Sequence, residues 1–314
     1  MICEEILKES PMSKPVTVEI VAIGSEILIG DVQDINTHWL CKEITDLGGH
    51  VRRGSLLRDE PEAIAAEVRA ALDRGSDVVF TTGGLGPTAD DLTLAAVARG
   101  VGGSTALTTG VAVRLHEKAR QMVSDRYDEL AAQGILAEGG LNPAREKMAY
   151  LPEGATPLHN PVGTAPGVLL KAGQTTIVCL PGVPAELKGI FATSLQPFLR
   201  QTFGAGVFVE RVVTAECNDE SLLAPVVNRV AAGHPDVYVK SWARPFGETG
   251  RLKITLSAGG SDRAAVDALL DAALTSLQAG LATAGIPLHN PAIAAAGRFH
   301  SGQNDEPCYA HSGA

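Results

Sequence analysis

Apolar positions in this chain switch repeatedly between short runs of strand formers and the three-to-four-residue spacing of helices. Thr17 to Ile23 is a nearly unbroken apolar run. Ile35, Trp39, Leu40, Ile44 and Leu47 then share one face of a helix over 34–47 that stops at Gly48-Gly49. Val51 to Leu57 predicts a second strand. Glu60-Pro61 opens a second helix with Ile64, Val68 and Leu72 in register, and Gly75 closes it ahead of Asp77-Val78-Val79-Phe80. Leu94, Val97, Ala98 and Val101 repeat the helical spacing. Alternation at this pitch predicts an α/β fold of three layers, a mostly parallel sheet covered by helices on both faces. Ligands of such sheets bind at the carboxyl ends of the strands.

Further along, 107–133 predicts a long charged helix and 134–152 a Gly- and Pro-containing connection to Ala155-Thr156-Pro157-Leu158. Strands follow at 168–171 and 175–180. Pro181-Gly182-Val183-Pro184 then breaks the last strand, and Ala185 to Phe203 reads as one helix through Leu187, Ile190, Phe191, Leu195 and Phe198. From Val207 the pattern changes to strand (207–214), helix (219–232), strands (236–240 and 251–257) and helix (262–280), a small α+β module. The expected organisation is a leader at 1–15, a first domain at 16–204, the module at 205–284 and a tail at 285–314. Leader and tail lack apolar periodicity and read as disordered. Met12 is an alternative start.

The 314 residues are 45% hydrophobic and carry a formal charge of −10. Lys and Arg form no run and aromatics make up only 4%, so a nucleic-acid partner is not expected. No apolar stretch is expected to reach the roughly 18 residues of a membrane span. Met1-Ile2-Cys3-Glu4-Glu5 carries acid where a signal peptide carries base, so a cytoplasmic protein without a membrane partner is expected. The five cysteines (Cys3, Cys41, Cys179, Cys217, Cys308) form no C-x-x-C pair and suggest neither a disulfide framework nor a zinc site. Cys41 and Cys179 read as core thiols.

Chemistry concentrates in Thr81-Thr82-Gly83-Gly84-Leu85-Gly86-Pro87-Thr88-Ala89-Asp90-Asp91-Leu92-Thr93. Glycines between a strand and a helix allow positive φ and close approach of a ligand, and helix N–H groups attract phosphate. The spacing matches neither a Walker A loop nor a dinucleotide fingerprint. A purely structural turn accounts for the glycines equally well. Thr88 followed three residues later by Asp91 also resembles a capping box at a helix start. Gly24-Ser25-Glu26 and Gly30-Asp31 follow the first strand, so Glu26, Asp31, Asp90 and Asp91 could meet around a hard divalent cation (Mg, Mn or Co), with Asp31 and Asp91 as its ligands. Each is otherwise a turn or cap residue. Asn160 to Gly167 and Pro181 to Lys188 are rigid loops beside strands, and Lys188 either reaches an anionic ligand or is simply solvated.

These segments, in this order, resemble the molybdopterin-binding domain of molybdenum-cofactor biosynthesis, and more closely its version in the CinA-like (competence-damage-inducible) family. The matching stretches are Ile23 to Leu28 with Gly30-Asp31 and Asn36, Thr82 to Thr88 with Asp90 to Thr93, Asn160 to Gly167, and Pro181 to Pro184. The resemblance spans roughly 17–204, and 207–280 is similar to the family's second module. It implies a pterin or nucleotide-phosphate pocket drawing on Gly24, Ser25, Thr82, Gly83, Gly84, Leu85, Gly86, Thr88, Asn160, Gly163, Thr164, Pro181, Gly182 and Lys188. In the wider group the acidic residue after the glycine turn is functional and maps onto Asp91, whereas Asp90 matches the CinA-like version alone. For that branch the resemblance implies metal-dependent hydrolysis of the pyrophosphate of ADP-ribose, with Asp91, Asp90 and Glu26 as the catalytic carboxylates. The alternatives are a non-catalytic protein binding molybdopterin or a nucleotide, and a molybdopterin adenylyltransferase. Self-association is expected. About 30 residues follow the last expected helix, fewer than the family's C-terminal deamidase domain needs, so no deamidation of nicotinamide mononucleotide is expected. Met148 stands between Lys147 and Ala149 where the family usually has a polar residue.

Overall fold

The computed structural model describes residues 15–102, 110–204, 206–242 and 250–292. Their contacts divide into two units, one reaching Phe208 with 259–265 added, the other formed by 209–258 and the residues from Val266 onward.

The first unit is built on a six-stranded sheet of order β2-β1-β3-β8-β7-β6. Its strands are β1 (Thr17–Ile23), β2 (His50–Leu57), β3 (Val78–Thr82), β8 (Thr175–Leu180), β7 (Gly167–Ala172) and β6 (Thr156–Leu158). β2, β1, β3 and β8 run parallel, while β7 pairs antiparallel with β8 and with β6. β1, β3 and β8 are buried along their whole length. Alternate side chains serve two cores. Val21, Ile23, Val79 and Ile177 pack with Ile64, Val68, Val97 and Val123 from α3 (Pro61–Asp73), α4 (Thr93–Val101) and α5 (Glu117–Ala132). On the other face Val18, Ile20, Phe80 and Val178 pack with Leu40, Ile44, Leu187, Ile190 and Leu199 from α2 (Ile35–Asp46), α7 (Pro184–Ala192) and α8 (Gln196–Phe203). The three layers and the mostly parallel sheet are as the alternation predicts.

One charge lies inside this sheet. Glu19 on β1 is 1% exposed, held by two nitrogens of Arg74, by Arg52 at 3.4 Å and by the Ser76 hydroxyl at 2.6 Å. Burial alone would raise its carboxyl. The hydrogen bonds of Arg74 and Ser76, with the charges of Arg74 and Arg52, outweigh that and leave it below its ordinary value.

Several local expectations are corrected. The long helix over 107–133 is α5 alone in the described part, because Val113–Leu115 instead forms β4, antiparallel to β5 (Tyr150–Pro152). The His116 ring then caps α5 by accepting from the Ala119 N–H. The connection 134–152 contains α6 (Pro143–Lys147), capped by Asn142. The single helix over 185–203 is two helices, since Thr193 leaves helical geometry at ψ −89° and Pro197 sits in the first turn of α8. Thr88 caps no helix: α4 starts at Thr93, behind Leu92.

The second unit holds a sheet of order β10-β11-β9-β12, from β9 (Val207–Glu216), β10 (Tyr238–Trp242), β11 (Arg251–Gly260) and β12 (Leu288–Ala292), with α9 (Glu220–Gly233) and α10 (Arg263–Thr283). β12 falls within the tail expected to be disordered. It pairs antiparallel with β9, whose backbone edge supplies the order that side-chain periodicity does not announce. The expected disorder of 1–14 and 293–314 lies outside the described residues. α10 departs from the expectation that no stretch is long and apolar enough to span a bilayer: by length and composition alone it is, an 18-residue window of its 21 residues having mean hydropathy 1.2. It is nonetheless amphipathic. Val266, Leu270, Ala273, Leu277 and Leu281 form one buried stripe, while Asp267 and Asp271 pair with Arg211 of β9.

Candidate functional site

β1, β3 and β8 are parallel neighbours, so the segments leaving their carboxyl ends stand side by side: 24–34, which includes the single turn α1 (Ser25–Leu28), then 83–92 and 181–183. The centre is the glycine pair. Gly83 has φ +98°, and a Cβ there would lie 2.1 Å from the Ile23 carbonyl oxygen; Gly84 has φ +66°, and its Cβ would lie 2.2 Å from Thr93 Oγ1. Neither position has room for a side chain. The Thr93 hydroxyl donates to the Gly83 carbonyl at 2.8 Å, and the Gly83 N–H donates to Leu180 O, so the turn is tied to both α4 and β8. Gly182 lies against it: a Cβ at Gly182 would stand 3.4 Å from Gly83 Cα. Asn36, at the start of α2, donates to Gly182 O at 2.7 Å and secures the third segment.

Asp90 and Asp91 sit on the turn between Gly86 and α4. Thr88 donates to Asp91 Oδ2 from both its N–H (2.9 Å) and its hydroxyl (2.6 Å), and the hydroxyl also reaches Asp90 Oδ1. The Thr88 hydrogen bond, a backbone bond and the charge of Lys147 hold the exposed Asp90 carboxyl below its ordinary value. Lys147, at the end of α6, donates to the carbonyls of Gly86 (3.4 Å), Asp91 (2.8 Å) and Thr88. Beside this turn lies a cleft of about 200 Å³ lined by Gly84, Leu85, Gly86, Asp91, Leu92, Lys147, Met148 and Tyr150. Its make-up, apolar walls with the Asp91 carboxylate at one side, suits a small ligand with a flat body.

The remaining expected residues divide. Thr82 is buried at the end of β3, and Leu85 belongs to the core. The Gly24 N–H donates to Leu57 O, and Ser25 exchanges hydrogen bonds with Asp59. Glu26 and Asp31 are exposed on the β1 segment, where the Asp31 N–H donates to Glu26 O. Asn160 organises its own loop, accepting from the N–H groups of Val162 and Gly163 and donating to Ala165 O and Glu186 Oε2. Thr164 accepts from the Tyr127 hydroxyl at 3.5 Å. Pro181 is buried, and Lys188 is exposed with its ammonium 5.5 Å from the Trp39 ring centroid, a cation–π contact. Among the described residues no three His, Cys, Asp or Glu side chains converge to hold a metal ion. The described carboxylates therefore form no closed cage.

The family described as "Probable molybdopterin binding domain" matches residues 19–201, more than half of the chain and all three strand-end segments. The chain belongs to this family. A relative from Pyrobaculum arsenaticum is 39% identical over 249 residues, 78% of this chain and 88% of its own length. One from Aeropyrum pernix is 41% identical over 222 residues, 71% and 77% of the two chains. The CinA protein of Thermoplasma acidophilum, a solved structure described as of unknown function, is 33% identical and superposes with a TM-score of 0.50 over 58% of this chain and 98% of its own. This places the domain in the CinA-like branch.

Three residues that this molybdopterin-binding domain uses to build its loops escape a reading of the sequence: Lys147, Arg126 and Glu186. Arg126 donates to the carbonyls of Gly163 and Val162 at 3.2 and 2.7 Å. Glu186 lies beneath that loop, where burial raises its carboxyl against the opposing effects of Asn160 and Arg126. Their partners lie 26 to 61 positions away in sequence, so spacing carries no signal of them. In the sequence, Glu186-Leu187 looks like any helix start.

Proposed function

We propose that this domain binds a phosphorylated nucleotide or pterin in the cleft beside Gly83 and Gly84 and hydrolyses the pyrophosphate of ADP-ribose-like nucleotides. The observation that carries the reading is the pair Asp90-Asp91, fixed by Thr88 on the same turn as the two glycines that no side chain can replace. Gly83 and Gly84 set the course of the turn that carries the acids, and the α4 start lies next to them. A divalent cation, Mg, Mn or Co, would supply positive charge against the charge that develops on phosphate oxygens. Asp91 and Asp90 would hold it, with Asp31 of the neighbouring segment as the other expected ligand.

Water adds to one phosphorus, the bridging P–O bond breaks, and the products are AMP and ribose 5-phosphate. The proton of the attacking water passes to a carboxylate. Asp90 or Glu26 serves as that base. The full chain incubated with ADP-ribose and Mg²⁺, Mn²⁺ or Co²⁺ should release AMP, and Asp91→Asn should slow release by about 100-fold or more. Absence of AMP with every cation overturns hydrolysis. The family's description is compatible with a second reading, in which the domain binds a molybdopterin-type pterin without turnover. Saturable pterin binding with no AMP release from ADP-ribose would select it, whereas molybdopterin-dependent consumption of ATP would select adenylyl transfer.

A further inference from the structure

We infer that Lys147 is the positioning residue of the 86–91 turn: its ammonium serves as an internal cation that three backbone carbonyls enclose, and it does not touch the ligand. An ammonium has three N–H donors. Here all three find acceptors, on Gly86, Thr88 and Asp91, which leaves none to bind an anion. The three carbonyls belong to one short turn, so a single side chain from α6 fixes both ends and the middle of the segment that carries Asp90 and Asp91. Peptide planarity adds a second effect. With the carbonyls of Thr88 and Asp91 directed at Lys147, the N–H groups of Ala89 and Leu92 must point to the opposite side of the turn. The other ties of the turn are internal to it, from Thr88 to Asp90 and Asp91 and from the Asp91 N–H to Thr88 O, and Thr88, Ala89 and Asp90 are exposed. Lys147 is also placed by its surroundings: Met148 and Ala149, next in sequence, are buried in the core at 2% and 0% exposure, and Asn142 caps the short helix it ends. Its effect on a ligand rests on the proposed function, whereas its hold on the turn stands without it.

The test compares the full chain with Lys147→Met, which keeps the length and packing of the side chain and removes the charge, and with Lys147→Ala. Amide hydrogen exchange in peptides covering 86–92 should quicken by about tenfold or more in both variants, while peptides of 35–46 and 175–180 stay as in the parent. Ammonium ion should re-enter the carbonyl cage of Lys147→Ala and restore slow exchange, and should do nothing for Lys147→Met, whose side chain fills the space. If the parent hydrolyses ADP-ribose, the same ammonium addition should restore turnover of Lys147→Ala alone. Unchanged exchange at 86–92 in both variants overturns the inference. So does equal acceleration across all peptides, which would make Lys147 a general stability residue. A parent without hydrolysis, combined with local loosening of 86–92, overturns the proposed function and leaves Lys147 in its role.

Discussion

At the scale of single residues, the glycine turn is where sequence and structure agree most closely, and the reason is steric. Gly83 occupies left-handed backbone with the Ile23 carbonyl oxygen 2.1 Å from where a Cβ would be. Gly83→Ala should therefore cost more than the ~1–2 kcal/mol of forcing an L-residue into that region, because the β1 and β3 ends must also part. Urea unfolding would measure this; a loss below about 1 kcal/mol would show that the turn relaxes freely. Gly83 and Gly84 were legible as a turn because glycines between a strand and a helix mark backbone that other residues adopt with difficulty. Lys147 and Arg126 were not, because each acts on carbonyls of a loop distant in sequence, and a carbonyl leaves no mark in the residue that bears it.

Elements were legible in proportion to how deeply they are buried. β1, β3 and β8 read directly as apolar runs, since both faces of each are covered. β4 has three exposed residues and exists through its pairing with β5, while β12 exists through β9; such strands depend on a partner's edge rather than on their own side chains. The same dependence governs the 160–165 loop, which α7 supports through Glu186. With its carboxyl raised above 4.5 by burial, folded protein holds that proton more tightly than unfolded chain. Its contribution to stability is thus complete below about 4.5 and falls as pH rises through the folded value. Glu186→Gln should remove this slope and leave stability at neutral pH equal or higher, a change visible in thermal melts from mildly acid to mildly alkaline buffer. A variant destabilised equally at every pH would contradict the burial account.

Across the entire chain, acid acts in the opposite sense through Glu19. Its folded carboxyl lies below the ordinary value, so its contribution is complete above about pH 4.5 and is lost as pH falls through the folded value. Glu19→Ala should cost ~3–5 kcal/mol near neutrality, by leaving Arg74 and Arg52 without their shared partner, and should flatten the acid limb of the stability profile. Chemical denaturation in acid and at neutrality would show it, and an unchanged acid limb would count against it. The cleft carries a different consequence for the chain. Its walls come from stretches as far apart in sequence as Gly84 and Tyr150. No early, local contact can assemble it, so in folding it belongs among the late, high-contact-order events. A ligand seated there would hold the turn after β3 against the 147–150 stretch and would have no affinity for any intermediate in which those two stretches have yet to meet.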